Sequence, residues 1–410
     1  MTAERMNVLL GADSLAVRRS GVGRITVEIA EALRRRTEVE TLRLLVRNRT
    51  EAPDLLDALP DHADTGEPSE DAPVRLRGLE YLRVGTQARL CRLPGAAPLR
   101  ARLRQALLDG QARRLARASG VPVVYHETNM IVRPFDGVCV TTFHDLSWNF
   151  QPAWHPADRL AWIARGLART LSQPRRFVAI SAFTADAMAR DLGVRRERID
   201  VVPNAVGPEF HPMEAARAAP ALARFGLEDR GFFLSVSTLE PRKNFDALVA
   251  AYAGLPQSLR AARPLVVAGG RGWGETLANA AAERLRRSGE LRLLGHVPDA
   301  ELVALCARCA AFAYVSLYEG FGLPVLEAMA SGAPVVASAT TATGETAGNA
   351  ALLVDPLDVA GISQALRRVT EDADVASRLR AAGLARAAGF TWRRTVDGMI
   401  ASWRAALADG

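Results

Sequence analysis

The chain has 410 residues and a mass of 44.1 kDa, a length that points to two or three domains rather than one. Its 49% hydrophobic and 24% charged residues exclude a disordered or fibrous chain, and no apolar run approaches the ~18 residues of a membrane span. Four cysteines cannot staple a chain this long, so a reducing cytoplasm is the expected location, and the net charge of +7 raises a nucleic-acid reading.

In chain order, short apolar strands alternate with helices. The first apolar stretch, Met6 to Gly11, stops before Asp13, so no secretory leader is expected. Strands are expected near 6–11, 41–47, 121–125, 138–143, 176–180 and 199–202. A second series follows near 231–236, 264–268, 291–294, 311–315, 334–337 and 351–354. Most are near-continuous runs of Val, Leu, Ile, Ala and Phe, as in strands covered on both faces. Helices are expected near 23–36, 98–118, 157–172, 182–192, 245–254, 275–288, 299–308, 324–331 and 358–370. This alternation defines an α/β class with two Rossmann-like, doubly wound sheets. The run Pro203-Asn204-Ala205-Val206-Gly207-Pro208 marks the boundary between them. The expected domains are 1–205 and 206–390, with a helix in 391–410 that packs back across the halves. Ligands in such folds sit beyond the carboxyl ends of the strands.

Charge is uneven. Residues 51–74 carry eight acids and neither Lys nor Arg, which reads as a solvated loop or flap. Residues 75–117 are rich in arginine and hold an expected amphipathic helix with Leu99, Leu103, Leu107 and Leu115. That stretch is either an ordinary surface helix or a contact for an anionic membrane or acidic acceptor. Tyr81 is its only aromatic, so no nucleic-acid partner is expected.

Lys243 is the only lysine among 52 Lys and Arg. It marks a position that needs a compact ammonium rather than a planar guanidinium. It lies in Glu240-Pro241-Arg242-Lys243-Asn244, after an expected strand, with Asn244 as the expected N-cap of the next helix. Two cations at a strand end suit a diphosphate whose charge grows as it leaves. Earlier, Ser20-Gly21-Val22-Gly23-Arg24 follows the first strand, and the glycines Gly21 and Gly23 would let backbone amides approach an anion. Thr142-Phe143-His144-Asp145 ends a first-half strand. There His144 would orient a hydroxyl, and Asp145 would fix it or cap the next turn.

The most informative string is Glu319-Gly320-Phe321-Gly322-Leu323-Pro324-Val325-Leu326-Glu327. Pro324 suits the first helical position, and the amides of Gly320, Phe321, Gly322 and Leu323 would point at a ligand above the helix. Glu319, and Glu327 in the expected first turn, repel phosphate but suit sugar and ribose hydroxyls. Cys306 and Cys309 lie on an expected helix with no second pair, and Asp372-Ala373-Asp374 lies away from strand ends. No metal site is assigned to either.

These motifs identify the chain as resembling glycosyltransferase family 4, retaining nucleotide-sugar transferases of the GT-B fold. The resemblance spans nearly the whole chain, from Gly21-Val22-Gly23-Arg24 through the Gly295-His296-Val297-Pro298 turn to the final helix. The Phe143-His144-Asp145-Leu146 and Glu240-Pro241-Arg242-Lys243-Asn244 variants look most like its mannosyl- and rhamnosyltransferase branch. Pro203-Asn204-Ala205 departs from the usual Asn-Gly at the hinge.

The resemblance implies an acceptor-binding first domain and a nucleotide-sugar-binding second domain. It implies that Arg242 and Lys243 bind the donor diphosphate, Glu319 the transferred sugar and Glu327 the ribose. The amides of Gly320 to Leu323 assist Glu319, and residues near Leu294 to Val297 flank the base. Gly21 and Gly23 let a loop close over the phosphates. His144 and Asp145 face the acceptor. The expected catalytic set is Arg242, Lys243, Glu319 and His144, with no metal and no cofactor. The co-substrate is a nucleotide sugar, GDP-linked in preference to UDP-linked. The expected partner is a glycan, lipid-linked or small-molecule acceptor, and the location is cytoplasmic, with peripheral membrane contact in view. An epimerase or phosphorylase of the same architecture, or a catalytically silent sugar-nucleotide binder, remains the alternative. A phosphorylase would need Lys243 for pyridoxal phosphate, and a silent binder should lack one of Arg242, Lys243, Glu319 and Glu327.

Overall fold

The computed structural model describes residues 5–16, 21–46, 49–58, 96–270, 272–274, 276–277 and 279–409. Among them, two sheets carry the fold. The first contains β1 (Met6–Gly11), β2 (Val39–Val46), β3 (Arg49–Glu51), β4 (Val123–Glu127), β5 (Val138–Phe143), β6 (Arg176–Ala179) and β7 (Ile199–Val201), in the order β3-β2-β1-β4-β5-β6-β7. All neighbours are parallel except β3 against β2. The second contains β8 (Phe233–Val236), β9 (Leu265–Ala268), β10 (Leu291–Gly295), β11 (Ala311–Tyr314), β12 (Val335–Ser338) and β13 (Leu352–Val354), in the order β10-β9-β8-β11-β12-β13. It is parallel throughout.

The apolar runs explain the burial. Every residue of β1, β9, β11 and β12 is buried, because helices cover both faces. In each sheet the strand order reverses once, between β1 and β4 and between β8 and β11. The carboxyl ends at a reversal splay apart and leave a crevice. The segments after β8 and β11, where Lys243 and Glu319 lie, meet at the second crevice.

The helix Trp392–Ala408 belongs to the core of the first sheet. Its Val396, Met399, Ile400, Trp403 and Ala406 pack with Met6, Val8, Leu10 and Ile29. Trp403 is fully buried, and its indole N–H donates to His126 Nδ1 at 2.8 Å. With Nδ1 accepting, His126 Nε2 carries the proton and donates to Thr142 Oγ1 at 2.7 Å. Burial pulls the His126 pKa down to about 3, so the ring stays neutral.

The two halves are also stapled at the helix Ala182–Leu192. Ser181 and Thr184 hydroxyls donate to the Gly320 carbonyl at 2.7 and 3.2 Å. Glu345 accepts from the amides of Ala182 and Phe183, each at 2.9 Å, so a carboxylate of the second half caps a first-half helix.

Several expectations are corrected. Glu51, the first residue of the expected acidic loop, instead closes the edge strand β3. Three polar residues give no alternation to detect, and the rest of 51–74 beyond residue 58 lies outside the described residues. The helix Ala96–Ser119 turns Leu108, Ala112 and Leu115 to the core, while Leu107 is exposed. Of the stretch 75–117, residues 75–95 and their arginines lie outside the described residues. The helix Ala215–Arg224 was missed because Pro220 sits inside it. Asn244 has φ 59° and makes no cap hydrogen bond. Asp372 accepts from the Val375 amide and caps the helix Ala373–Ala387, which is a structural role for that acidic pair.

Candidate active site

The candidate site is built on two strand ends. After β8 the chain makes a short turn, Pro241–Lys243. The Asn244 side-chain amide donates to the carbonyls of Val315 and Pro356 at 3.0 and 2.8 Å, and the Leu317 amide donates to the Arg242 carbonyl at 2.8 Å. The turn is thereby tied to the loop after β11. It fixes both cations against Glu319.

Lys243 Nζ donates to Glu319 Oε1 at 2.6 Å and to the Tyr314 hydroxyl at 2.8 Å. That hydroxyl donates to Glu319 Oε1 at 3.0 Å. Arg242 pairs with Glu319 Oε2 at 3.0 Å and Glu240 Oε1 at 2.7 Å, and donates to the Tyr318 carbonyl at 3.2 Å. Burial pushes the Glu319 pKa up, but Arg242 and Lys243 outweigh it and hold the carboxyl below its ordinary value. Burial and Arg242 pull the Lys243 pKa down, and Glu319 and Tyr314 more than restore it. Both groups are charged near neutrality. Each cation is matched to a buried carboxylate.

Glu240 and Tyr314 were missed as site residues. Glu240 stood inside the motif, but an acid beside two cations expected to meet phosphate invites no assignment. Tyr314 ends β11, and only the folded register shows its hydroxyl reaching Lys243.

The first half closes over this cluster. The Gly320 backbone lies so near the His144 carbonyl that a Cβ at residue 320 would fall 1.7 Å from that oxygen, so only glycine fits. His144 Nε2 faces the Thr128 carbonyl at 2.7 Å and so carries the proton. Burial lowers its pKa, leaving a neutral ring with Nδ1 as an acceptor. Asp145 accepts from the amide and hydroxyl of Ser147 at 3.0 and 2.8 Å. Burial raises its pKa, and Arg242 and Ser147 pull it below the ordinary value.

Gly322 adopts φ 88°, which frees the start of the helix Leu323–Ala330 to turn sharply. Pro324 is its second residue rather than its first. Glu327 is the fifth residue of this helix, one position further in than expected, buried and paired with Arg24 of the first half. The Arg24 guanidinium also lies 5.4 Å from the centre of the Phe210 ring. The two glycine motifs therefore meet through a carboxylate–arginine pair that sequence did not signal.

Other assigned residues are placed differently from expectation. Gly21 and Gly23 are in the first turn of the helix Gly21–Arg34, not in a loop before it. The Val297 side chain is in the hydrophobic core, and its neighbours Gly295 and His296 are the exposed ones. The Phe321 side chain is buried against Phe390 and that of Leu323 packs against the cores of both halves, so these two side chains serve packing. Cys306 and Cys309 are buried in the second core, with both thiol pKa values pushed up by burial. Among the described residues, no cluster of three or more His, Cys, Asp or Glu is arranged to hold a metal, and no helix is long and apolar enough to cross a membrane.

Two family models match. One, described as Glycosyltransferase Family 4, matches residues 19–210, and the other, Glycosyl transferases group 1, matches residues 223–386. The O-antigen chain mannosyltransferase B of Escherichia coli is 31% identical over 399 residues, covering 97% of this chain and all of that one. A sucrose-phosphate synthase from Thermosynechococcus elongatus superposes with a TM-score of 0.66 at 21% identity, over 99% of this chain and 100% of the other. Anabaena HepE, solved with UDP and glucose, does so with a TM-score of 0.65 at 16% identity, over 98% and 100%. At such identities the two structures speak for the fold alone, which is GT-B.

Proposed function

The chain belongs to the glycosyltransferases of family 4, and from that premise we propose that it transfers a mannose-type hexose from a nucleoside diphosphate sugar to a hydroxyl acceptor. The acceptor is a glycan, a lipid-linked glycan or a natural product. GDP is preferred to UDP as the carrier, because the sugar is read as mannose from the O-antigen mannosyltransferase likeness. We place the reaction in the cytoplasm, with the basic stretch 75–117 as its contact with an anionic membrane surface.

One observation carries this reading: two fixed cations share a buried carboxylate at the crevice of the second sheet. As donor enters, its diphosphate takes Arg242 and Lys243. Glu319 is released to accept hydrogen bonds from sugar hydroxyls. Glu327 exchanges Arg24 for the ribose hydroxyls.

The bond between the anomeric carbon and the diphosphate oxygen then breaks, and the cations stabilise the departing charge where another enzyme would use a metal. The acceptor oxygen bonds the same face of that carbon and gives its proton to a leaving phosphate oxygen. The product keeps the donor's anomeric configuration.

The two glutamates separate the steps. Glu327→Ala should weaken GDP binding by roughly 1.5–3 kcal/mol, as for a charged acceptor lost from two hydroxyls. Glu319→Ala should not weaken GDP binding, since it removes the carboxylate with which the diphosphate competes for Arg242 and Lys243, and should depress transfer from GDP-mannose. Calorimetric titration of both variants beside turnover decides it. Equal loss of GDP affinity in the two would mean that Glu319 holds the loop and not the sugar.

A further inference from the structure

An aromatic seam runs outward from the proposed sugar site. Tyr318 immediately precedes Glu319, and its ring centre lies 5.0 Å from that of Phe150. Phe150 in turn lies 5.8 Å from Trp154. The Trp154 carbonyl accepts the indole N–H of Trp273 from the other half. Trp273 has His155 6.1 Å from its ring centre and the Arg159 guanidinium at 5.9 Å. Phe150 is 60% exposed, and Trp154 and Trp273 are half-buried.

Below the rings lies an unanswered acceptor. Ser147 gives its hydroxyl proton to Asp145, so its oxygen must accept from His155 Nε2 at 3.0 Å. Nε2 therefore carries the proton. The Nδ1 lone pair is left buried without a hydrogen-bond partner, on a ring only 8% exposed. Burial lowers the His155 pKa and keeps the ring neutral. Trp148 Nε1, seven residues earlier, is a buried donor likewise without a partner. Buried polar atoms are normally satisfied, and exceptions call for a ligand or solvent.

Resting on the transferase reading, we propose that this seam is an acceptor subsite for the second and later sugar rings of an oligosaccharide chain. A pyranose has an apolar C–H face, which stacks on Phe150 and Trp154, and a rim of hydroxyls, one of which donates to His155 Nδ1. An apolar aglycone or a lipid tail would cover the rings and leave that nitrogen unsatisfied. The subsite needs both halves, since Trp273, and the buried Tyr318 ring that backs Phe150, come from the second and the remainder from the first.

The test is direct binding of α-mannotetraose and methyl α-mannoside to the full chain, wild type, Phe150→Ala and Trp154→Ala, with GDP titrated in parallel. Phe150 is exposed, so its variant should fold. The wild type should bind the tetrasaccharide more tightly than the monosaccharide. Each variant should lose about 3- to 10-fold in tetrasaccharide affinity, as for one aromatic contact, and keep its affinity for GDP. Unchanged tetrasaccharide affinity in both variants, or equal binding of the two sugars by the wild type, would overturn the proposal. So would loss of anionic-vesicle binding in Phe150→Ala with tetrasaccharide binding intact, which would assign the seam to a membrane. Failure of the wild type to bind GDP would count against the transferase reading alone, because sugar binding is measured without donor.

Discussion

Lys243→Ala is expected to lower kcat by about 10²–10³, the usual cost of removing one stabiliser of charge that develops in the transition state. The ammonium is held by Glu319 Oε1 and the Tyr314 hydroxyl, and its stem lies in a fixed turn. A group so preorganised has little to reorganise when the diphosphate departs. Arginine would not replace it, because a planar fork cannot occupy the compact space between one carboxylate oxygen and one phenol. A cleft-edge position would make this mutation harmless to folding, but the structure argues otherwise. The Lys243 side chain is only 9% exposed and half-neutralises a buried carboxylate. With Arg242 still present, the stability loss should fall at or below the ~3–5 kcal/mol of a fully broken buried pair. Steady-state kinetics on the folded variant, with unfolding measured separately, distinguishes the effects. Near-normal turnover would contradict the role and make the single lysine a coincidence.

Trp403→Ala should cost about 3–5 kcal/mol of stability, the range for deleting a large, fully buried aromatic. The indole contributes twice. Its ring meets His126 edge-on at 5.6 Å between centres, and its N–H satisfies His126 Nδ1. Removal leaves a cavity and an orphaned acceptor in the core of the first sheet. Trp403→Phe keeps most of the volume and should lose less, about 1–3 kcal/mol for the unpaired nitrogen. Denaturant unfolding of the two variants measures both terms. A loss under about 1 kcal/mol for Trp403→Ala would mean that the C-terminal helix is not part of this core.

The fold was largely legible because buried parallel strands announce themselves as apolar runs, and twelve such runs each correspond to a strand. What escaped lacked that signal: β3 is three polar residues, and the helix Ala215–Arg224 contains a proline. At the candidate site, Arg242, Lys243 and Glu319 converge as their positions after β8 and β11 suggested. Their partners did not show. Glu240, Tyr314 and Arg24 matter through distances across the fold, and no spacing along the chain encodes that Arg24 meets Glu327 or that Ser147 joins Asp145 to His155. At Val297, two residues past the end of β10, only the fold shows that the side chain turns into the core while Gly295 and His296 are exposed.

The most direct test of the central claim is to incubate the wild type with GDP-α-mannose and an oligosaccharide acceptor in excess EDTA, and to follow GDP release and the anomeric signal of the product. The account predicts stoichiometric GDP release undiminished by the chelator and an α-mannosidic product, because cations of the chain itself stabilise the leaving group and the new bond forms on the face of the old one. A β-linked product, activity abolished by EDTA, or no GDP release with any acceptor tried would contradict it.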